Sequence, residues 1–96
     1  FVTASTAQVA IDNFSSTTYR SAKYYVQMTS GVSYHVIELS LVHNGTTVYL
    51  SQYGEIFSTS SLGTFDATIT GSTLSLFLTA ANATTTVKLI RDTINI

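Results

Sequence analysis

Residues Ser33 to Tyr53, SYHVIELSLVHNGTTVYLSQY, alternate apolar and polar side chains on both sides of Asn44-Gly45. A two-residue hairpin turn needs positive φ at both central positions, and Asn-Gly meets that demand with the least steric cost. The stretch therefore predicts two antiparallel strands. With Asn44-Gly45 as the turn, Val42 pairs with Thr47, Leu41 with Val48, Leu39 with Leu50 and Ile37 with Gln52. One face is then aliphatic. The other carries Val36, Glu38, Ser40, Tyr49, Ser51 and Tyr53, a mixture that suits water or a partner.

Working upstream, a strand from Tyr19 to Thr29 sets Ala22, Tyr24, Val26 and Met28 on one face and Lys23, Tyr25 and Gln27 on the other. The turn Ser30-Gly31-Val32-Ser33 has Gly at its first central position, as a type II′ turn requires. Pairing Ser30 with Ser33 sets Val26 opposite Ile37, Tyr24 opposite Leu39 and Ala22 opposite Leu41. Two independent turns thus select the same aliphatic face, and a slip of one residue would destroy the agreement.

Downstream, a polar loop from Ser58 to Ser61 leads to Phe65, Ala67 and Ile69, which alternate with Asp66, Thr68 and Thr70. Gly71-Ser72 makes a second Gly-first turn, setting Ile69 against Leu74, Ala67 against Leu76 and Phe65 against Leu78. A last strand after the loop Ala80 to Thr84 is expected beside these, with Val87 and Leu89 facing Leu78 and Leu76 and with Lys88, Ile90 and Asp92 outward. Near the start, Phe1 to Thr6 reads as a leader or arm. Gln8 to Phe14 reads as a first strand, with Val9 and Ile11 on one face and Ala10 and Asp12 on the other and its partner open. The expected fold is all-β: one domain over residues 1–96, an antiparallel sandwich of about seven strands from two meanders. A small barrel is the alternative.

Composition agrees. Ser and Thr abound, Tyr and Phe are frequent and proline is absent, while 45% hydrophobic residues in regular alternation suffice for a core rather than a disordered stalk. Charged residues make up 9% and the net charge is −1. Arg20, Lys23, Lys88 and Arg91 are too few to neutralise a run of phosphates, so nucleic acid is not an expected partner. Without cysteine there is no disulfide framework and no thiolate metal site. No apolar run approaches the roughly 18 residues of a membrane-spanning helix, and neither a membrane nor a signal peptide is expected. Opening on Phe1 rather than Met reads as a processed product or an excerpt of a longer protein, with a trimmed chain as the alternative.

Catalytic and metal chemistry find little support. His35 and His43 share strand parity but lie roughly 26 Å apart along the strand, too far for one metal, and each reads as a strand-end residue with a local hydrogen bond. Glu38, Glu55 and Asp66 are the carboxylates that could form a glycosidase pair, yet nothing brings two of them together, and they read as solvated surface charge. There is no G-x-S-x-G elbow. An enzyme is not expected, nor a cofactor. The Asn-X-Ser/Thr triplets at Asn13, Asn44 and Asn82 follow from composition, and Asn44 is explained by its turn.

The candidate interaction face is the outer side of the first meander: Lys23, Tyr25, Val36, Glu38, Tyr49 and Tyr53. The predicted rows are Tyr25, Glu38 and Ser51; Lys23, Ser40 and Tyr49; and Gln27, Val36 and Tyr53. Exposed tyrosines give rigid contact area with a polar handle, although tyrosine is also simply a good strand former.

The run SAKYYVQMTSGVSYHVIELSLVHNGTTVYLSQYGEIF, followed by SLGTFDATITGSTLSLFLTAANATTTVKLIR, resembles a β-rich domain in virion structural proteins of tailed bacteriophages, marine and cyanobacterial phages especially. The likeness spans Ser21 to Arg91. It rests on AKY at Ala22–Tyr24, the hairpin from Tyr34 through Glu38 to His43-Asn44-Gly45-Thr46, Tyr53-Gly54 with Phe57, LGTFDA at Leu62–Ala67, and NATTT at Asn82–Thr86 with Lys88 and Arg91. The resemblance implies a non-enzymatic capsid decoration or fibre component at the virion surface. Its partners would be copies of itself or other virion proteins. A carbohydrate-binding or adhesin module, stacking the exposed tyrosines on a host-surface glycan, is the alternative.

Overall fold

The computed structural model describes residues 1–96. Eight strands run in the order β1 (Val2–Thr3), β2 (Val9–Ser15), β3 (Tyr19–Ser30), β4 (Ser33–His43), β5 (Val48–Phe57), β6 (Gly63–Thr70), β7 (Thr73–Ala80) and β8 (Thr85–Asn95). They form two antiparallel sheets, one of five strands in the order β1-β8-β3-β4-β5 and one of three in the order β2-β7-β6. The molecule measures 40 × 24 × 17 Å, its short dimension fitting two stacked layers. This is a sandwich rather than a closed barrel.

The core lies where alternation places it. Tyr24, Val26, Met28, Ile37, Leu39 and Leu41 from the large sheet meet Phe65, Ala67, Leu74, Leu76 and Leu78 from the small one, joined by Phe14, Leu62 and Val87. Both Gly-first turns form with the expected registers. Val26 pairs with Ile37 and Tyr24 with Leu39, and Ala67 pairs with Leu76 and Phe65 with Leu78. Gly31 and Gly71 take φ of 60° and 62°, a conformation that glycine adopts at little steric cost.

The Asn44-Gly45 hairpin differs from expectation by two residues: Leu41 lies opposite Leu50 and Leu39 opposite Gln52. Gly45 has positive φ and Asn44 does not, so no two-residue I′ turn forms. The Asn44 side-chain oxygen instead accepts the amides of Thr46 and Thr47 at 3.1 and 2.8 Å. The amide of Asn44 donates to the carbonyl of Thr47, closing a wider loop. Because the slip is two residues, every side chain keeps its face.

Two pairings are corrected. The last strand, β8, lies beside β3 rather than β7, with Val87 opposite Met28 and Leu89 opposite Val26. The free side of β7 is taken by β2. The second correction is Asp12. A bulge between Ala10 and Asp12 makes Ile11 the extra residue, so Asp12 opposes Leu76 and turns toward the other sheet with Phe14. The segment read as an arm adds Val2–Thr3 to the edge of the large sheet.

Candidate functional site

The outer face of the five-stranded sheet holds all six residues expected there, in rows set by the observed registers. Tyr25, Glu38 and Tyr53 form one row, continued on β8 by Ile90. The next runs Asp92, Lys23, Ser40 and Ser51, and the one beyond runs Ile94, Ser21, Val42 and Tyr49. On the other side of the Tyr25 row lie Lys88, Gln27, Val36 and Ile56. The two-residue shift of β5 therefore replaces Ser51 by Tyr53 beside Glu38 and moves Tyr49 away from Lys23. Val36 and Glu38 are half-buried, and Lys23 and the three tyrosines are exposed.

The polar groups at the centre engage one another. Lys23 Nζ lies 3.5 Å from Glu38 Oε1 and 5.8 Å from the centre of the Tyr53 ring, and the Tyr53 hydroxyl is 3.1 Å from Ser40 Oγ. The Lys23 ammonium is held above its ordinary pKa, first by Tyr53 and then by Glu38. Around this centre stand Tyr25, Tyr34, Val42, Tyr49, Ile56, Ile90 and Ile94, each large and exposed. Half of the exposed aliphatics of this wall, Ile90 and Ile94, come from β8.

The opposite surface of the sandwich is different. The outer side of the three-stranded sheet presents Thr64, Asp66, Thr68 and Asn13, with Ser75, Phe77 and Thr79 half-buried. One broad face is thus polar and the other is rich in tyrosine and isoleucine.

The histidines are core pieces. His35 is 1% exposed and His43 is 3%. The amide of Leu62 donates to His35 Nδ1 at 3.0 Å, which leaves the ring proton on Nε2 to be donated to Glu55 Oε2 at 2.9 Å. Gly45 donates likewise to His43 Nδ1, and His43 Nε2 donates to the carbonyl of Tyr19 at 2.7 Å. Both nitrogens of each ring are engaged by the protein, leaving none for a metal or substrate. His43, the last residue of β4, makes the expected local bond through Gly45 and adds a long-range one to Tyr19, whereas His35 is corrected from a locally bonded residue to a buried one with long-range partners.

Glu55 stays partly solvated, its side chain 39% exposed, and in addition serves as partner of His35. The cause is Gly54, which takes φ of 62° where β5 gains a residue against β4. That left-handed glycine bulge reverses strand parity and turns Glu55 inward. The second inward carboxylate contact is Asp12 Oδ2, which accepts the Tyr24 hydroxyl at 2.8 Å and Arg91 Nη1 at 2.9 Å. Burial, and after it the bond to Asp12, holds the Tyr24 hydroxyl well above its ordinary range. Burial lowers the Arg91 guanidinium, and Asp12 with Tyr24 more than restores it.

A groove of about 310 Å³ runs along β4 and β5, lined by Ser40, Leu41, Val42, Tyr49, Leu50 and Ser51. Its polar side-chain groups are hydroxyls, and no carboxylate or imidazole lines it. No family model matches the chain, and no curated protein does either.

Proposed function

We propose that the domain is a non-enzymatic structural module that works by packing the outer face of its five-stranded sheet against another protein, as a decoration or fibre component of a phage particle does. The observation that carries this reading is the contrast between the two broad faces. A sandwich needs only its inner faces apolar, yet Tyr25, Tyr53, Tyr49, Ile56, Ile90 and Ile94 gather, exposed, on one outer face while the other is dressed in Thr, Ser, Asp and Asn around a single half-buried Phe77. Large aromatic and aliphatic groups around a small polar centre are what protein interfaces concentrate. Four strands of 10 to 12 residues, spaced about 4.8 Å, present roughly 700 Å², close to the roughly 800 Å² per partner of a standard interface. The phage setting is supported by the resemblance of Ser21 to Arg91.

A photo-crosslinking amino acid at Tyr25 or Ile90, compared with one at Thr68 on the polar face, tests this in the protein's native setting. Adducts to particle proteins from the first two positions alone are expected. Adducts confined to Thr68, or glycan-array binding that Tyr25→Ser and Tyr53→Ser abolish, would overturn the reading, the second in favour of a carbohydrate-binding module.

A further inference from the structure

The geometry points to β5 as a second interaction surface, an open sheet edge that pairs with β5 of another copy of this chain to make one continuous sheet. An unpaired edge is a template for another strand, and folded proteins usually blunt it. Three of the four edges here are blunted. Strand β1 covers β8 only at Thr85 and Thr86, and the rest of that edge carries Lys88, Arg91 and Asp92, charges that discourage pairing. Strand β2 is bulged at Ile11, and its Asn13 carbonyl accepts Arg91 Nη1 at 3.0 Å. On β6 the amide of Ala67 is taken at 2.8 Å by the carboxylate of Asp66 next to it.

The fourth edge carries no such device over Val48 to Tyr53, VYLSQY, which has neither charge nor proline. The backbone bond from Asn44 to Thr47 fixes the alternation of this hairpin. Tyr49, Ser51 and Tyr53, opposite Val42, Ser40 and Glu38, bond back to β4, and Val48, Leu50 and Gln52 direct their amides and carbonyls away from it. The bulge at Gly54 ends this flat segment, so the open edge is short and its register is defined.

The segment is self-complementary. A two-fold axis normal to the sheet at Leu50 sets Leu50 opposite Leu50 of the second copy and Val48 opposite its Gln52. All three free residues then pair, forming about six backbone hydrogen bonds. Half-buried Val48 and Leu50 gain apolar cover on the inner side. The same axis keeps both tyrosine faces on one side, joining them into a single wall of twice the width. The contact depends on backbone groups of β5 and stands whether or not the wall itself docks a protein.

Sedimentation of the 96-residue chain with amide hydrogen exchange tests the pairing. The expected result is a dimer in which the amides of Val48, Leu50 and Gln52 exchange about tenfold or more slowly than in dilute monomer. Gln52→Pro removes an outward amide without touching the bonds to β4, and Gln52→Lys adds an edge charge. Both variants should be monomeric with the amides of Val26 and Ile37 still protected. A monomer up to about 1 mM would overturn the pairing. So would a dimer whose β5 amides exchange freely, or one dissolved by Tyr25→Ser/Tyr53→Ser but not by the Gln52 variants.

Discussion

The hydroxyl of Tyr24, from the middle of β3 in the large sheet, donates to Asp12 of β2 in the small sheet at 2.8 Å, with Arg91 of β8 on the same oxygen at 2.9 Å. This clasp bolts the two layers together through a polar contact at the margin of the apolar cluster between them. It also makes stability depend on alkaline pH. The folded protein holds the Tyr24 proton at pH values where an unfolded tyrosine, with its ordinary value of 10.0, gives it up. The folded state therefore binds more protons, and stability falls as pH rises above about 10, by up to about 1.4 kcal/mol per pH unit. Urea unfolding of wild type and Tyr24→Phe across pH 8 to 11 should show the slope flattened in the variant. At neutral pH the same substitution should cost about 1–2 kcal/mol.

The bond between Leu62 and His35 predicts an asymmetry between the two partners of one histidine. Replacing His35 by Leu leaves the Leu62 amide without its partner at a buried site and should cost about 2–4 kcal/mol. Glu55→Gln keeps an acceptor for Nε2–H, and the Glu55 side chain is 39% exposed, so its loss should stay below about 1 kcal/mol. Equal losses in urea titrations would mean that the carboxylate, rather than the amide of Leu62, is what His35 serves.

Gly54 is the residue that turns Glu55 inward, and its left-handed backbone, more than space, is what a side chain would strain. A Cβ there would sit 2.9 Å from Glu38 Oε2 with φ at +62°. Gly54→Ala should cost about 1–3 kcal/mol. Gly54→Asn should cost less backbone strain, because asparagine visits the left-handed region more readily. Thermal unfolding of the two variants separates backbone strain from the contact with Glu38: if strain dominates, the asparagine variant is the more stable of the pair.

The parts of this fold that were legible in the sequence are those that sterics settle locally. At Gly31 and Gly71 positive φ is needed at the first turn position, and the strand registers follow from that alone. At Asn44 the side-chain oxygen competes with the backbone for the amides of Thr46 and Thr47, so the Asn-Gly pair opens into a wider loop and the expected rows moved by two residues. Bulges at Ile11 and Gly54 were not legible as parity changes, because each inserts one residue into an unbroken alternation. They hid the inward turn of Asp12 and of Glu55. The partner of β8 is a long-range choice between two sheets, and local pattern does not encode it; as a result alternation sets Ile90 outward without making it part of the tyrosine wall.

The wall itself should be dispensable for folding. Ile90 and Ile94 are 65% and 69% exposed, threonine is also a good strand former, and neither side chain has a core neighbour to lose. Ile90→Thr and Ile94→Thr should therefore change unfolding free energy by less than about 0.5 kcal/mol each. Leu39→Ala on the inner face of β4, fully buried, should cost about 2–5 kcal/mol. Lys23→Gln belongs with the first group, since the Lys23 side chain is 55% exposed and its pair with Glu38 lies in water. Denaturant titrations of these four variants distinguish a surface kept for contact with a partner from one kept for the fold. If the isoleucine variants approached the loss of Leu39→Ala, the outer face would be part of the folding core of this chain, and its apolar character would no longer support a docking role.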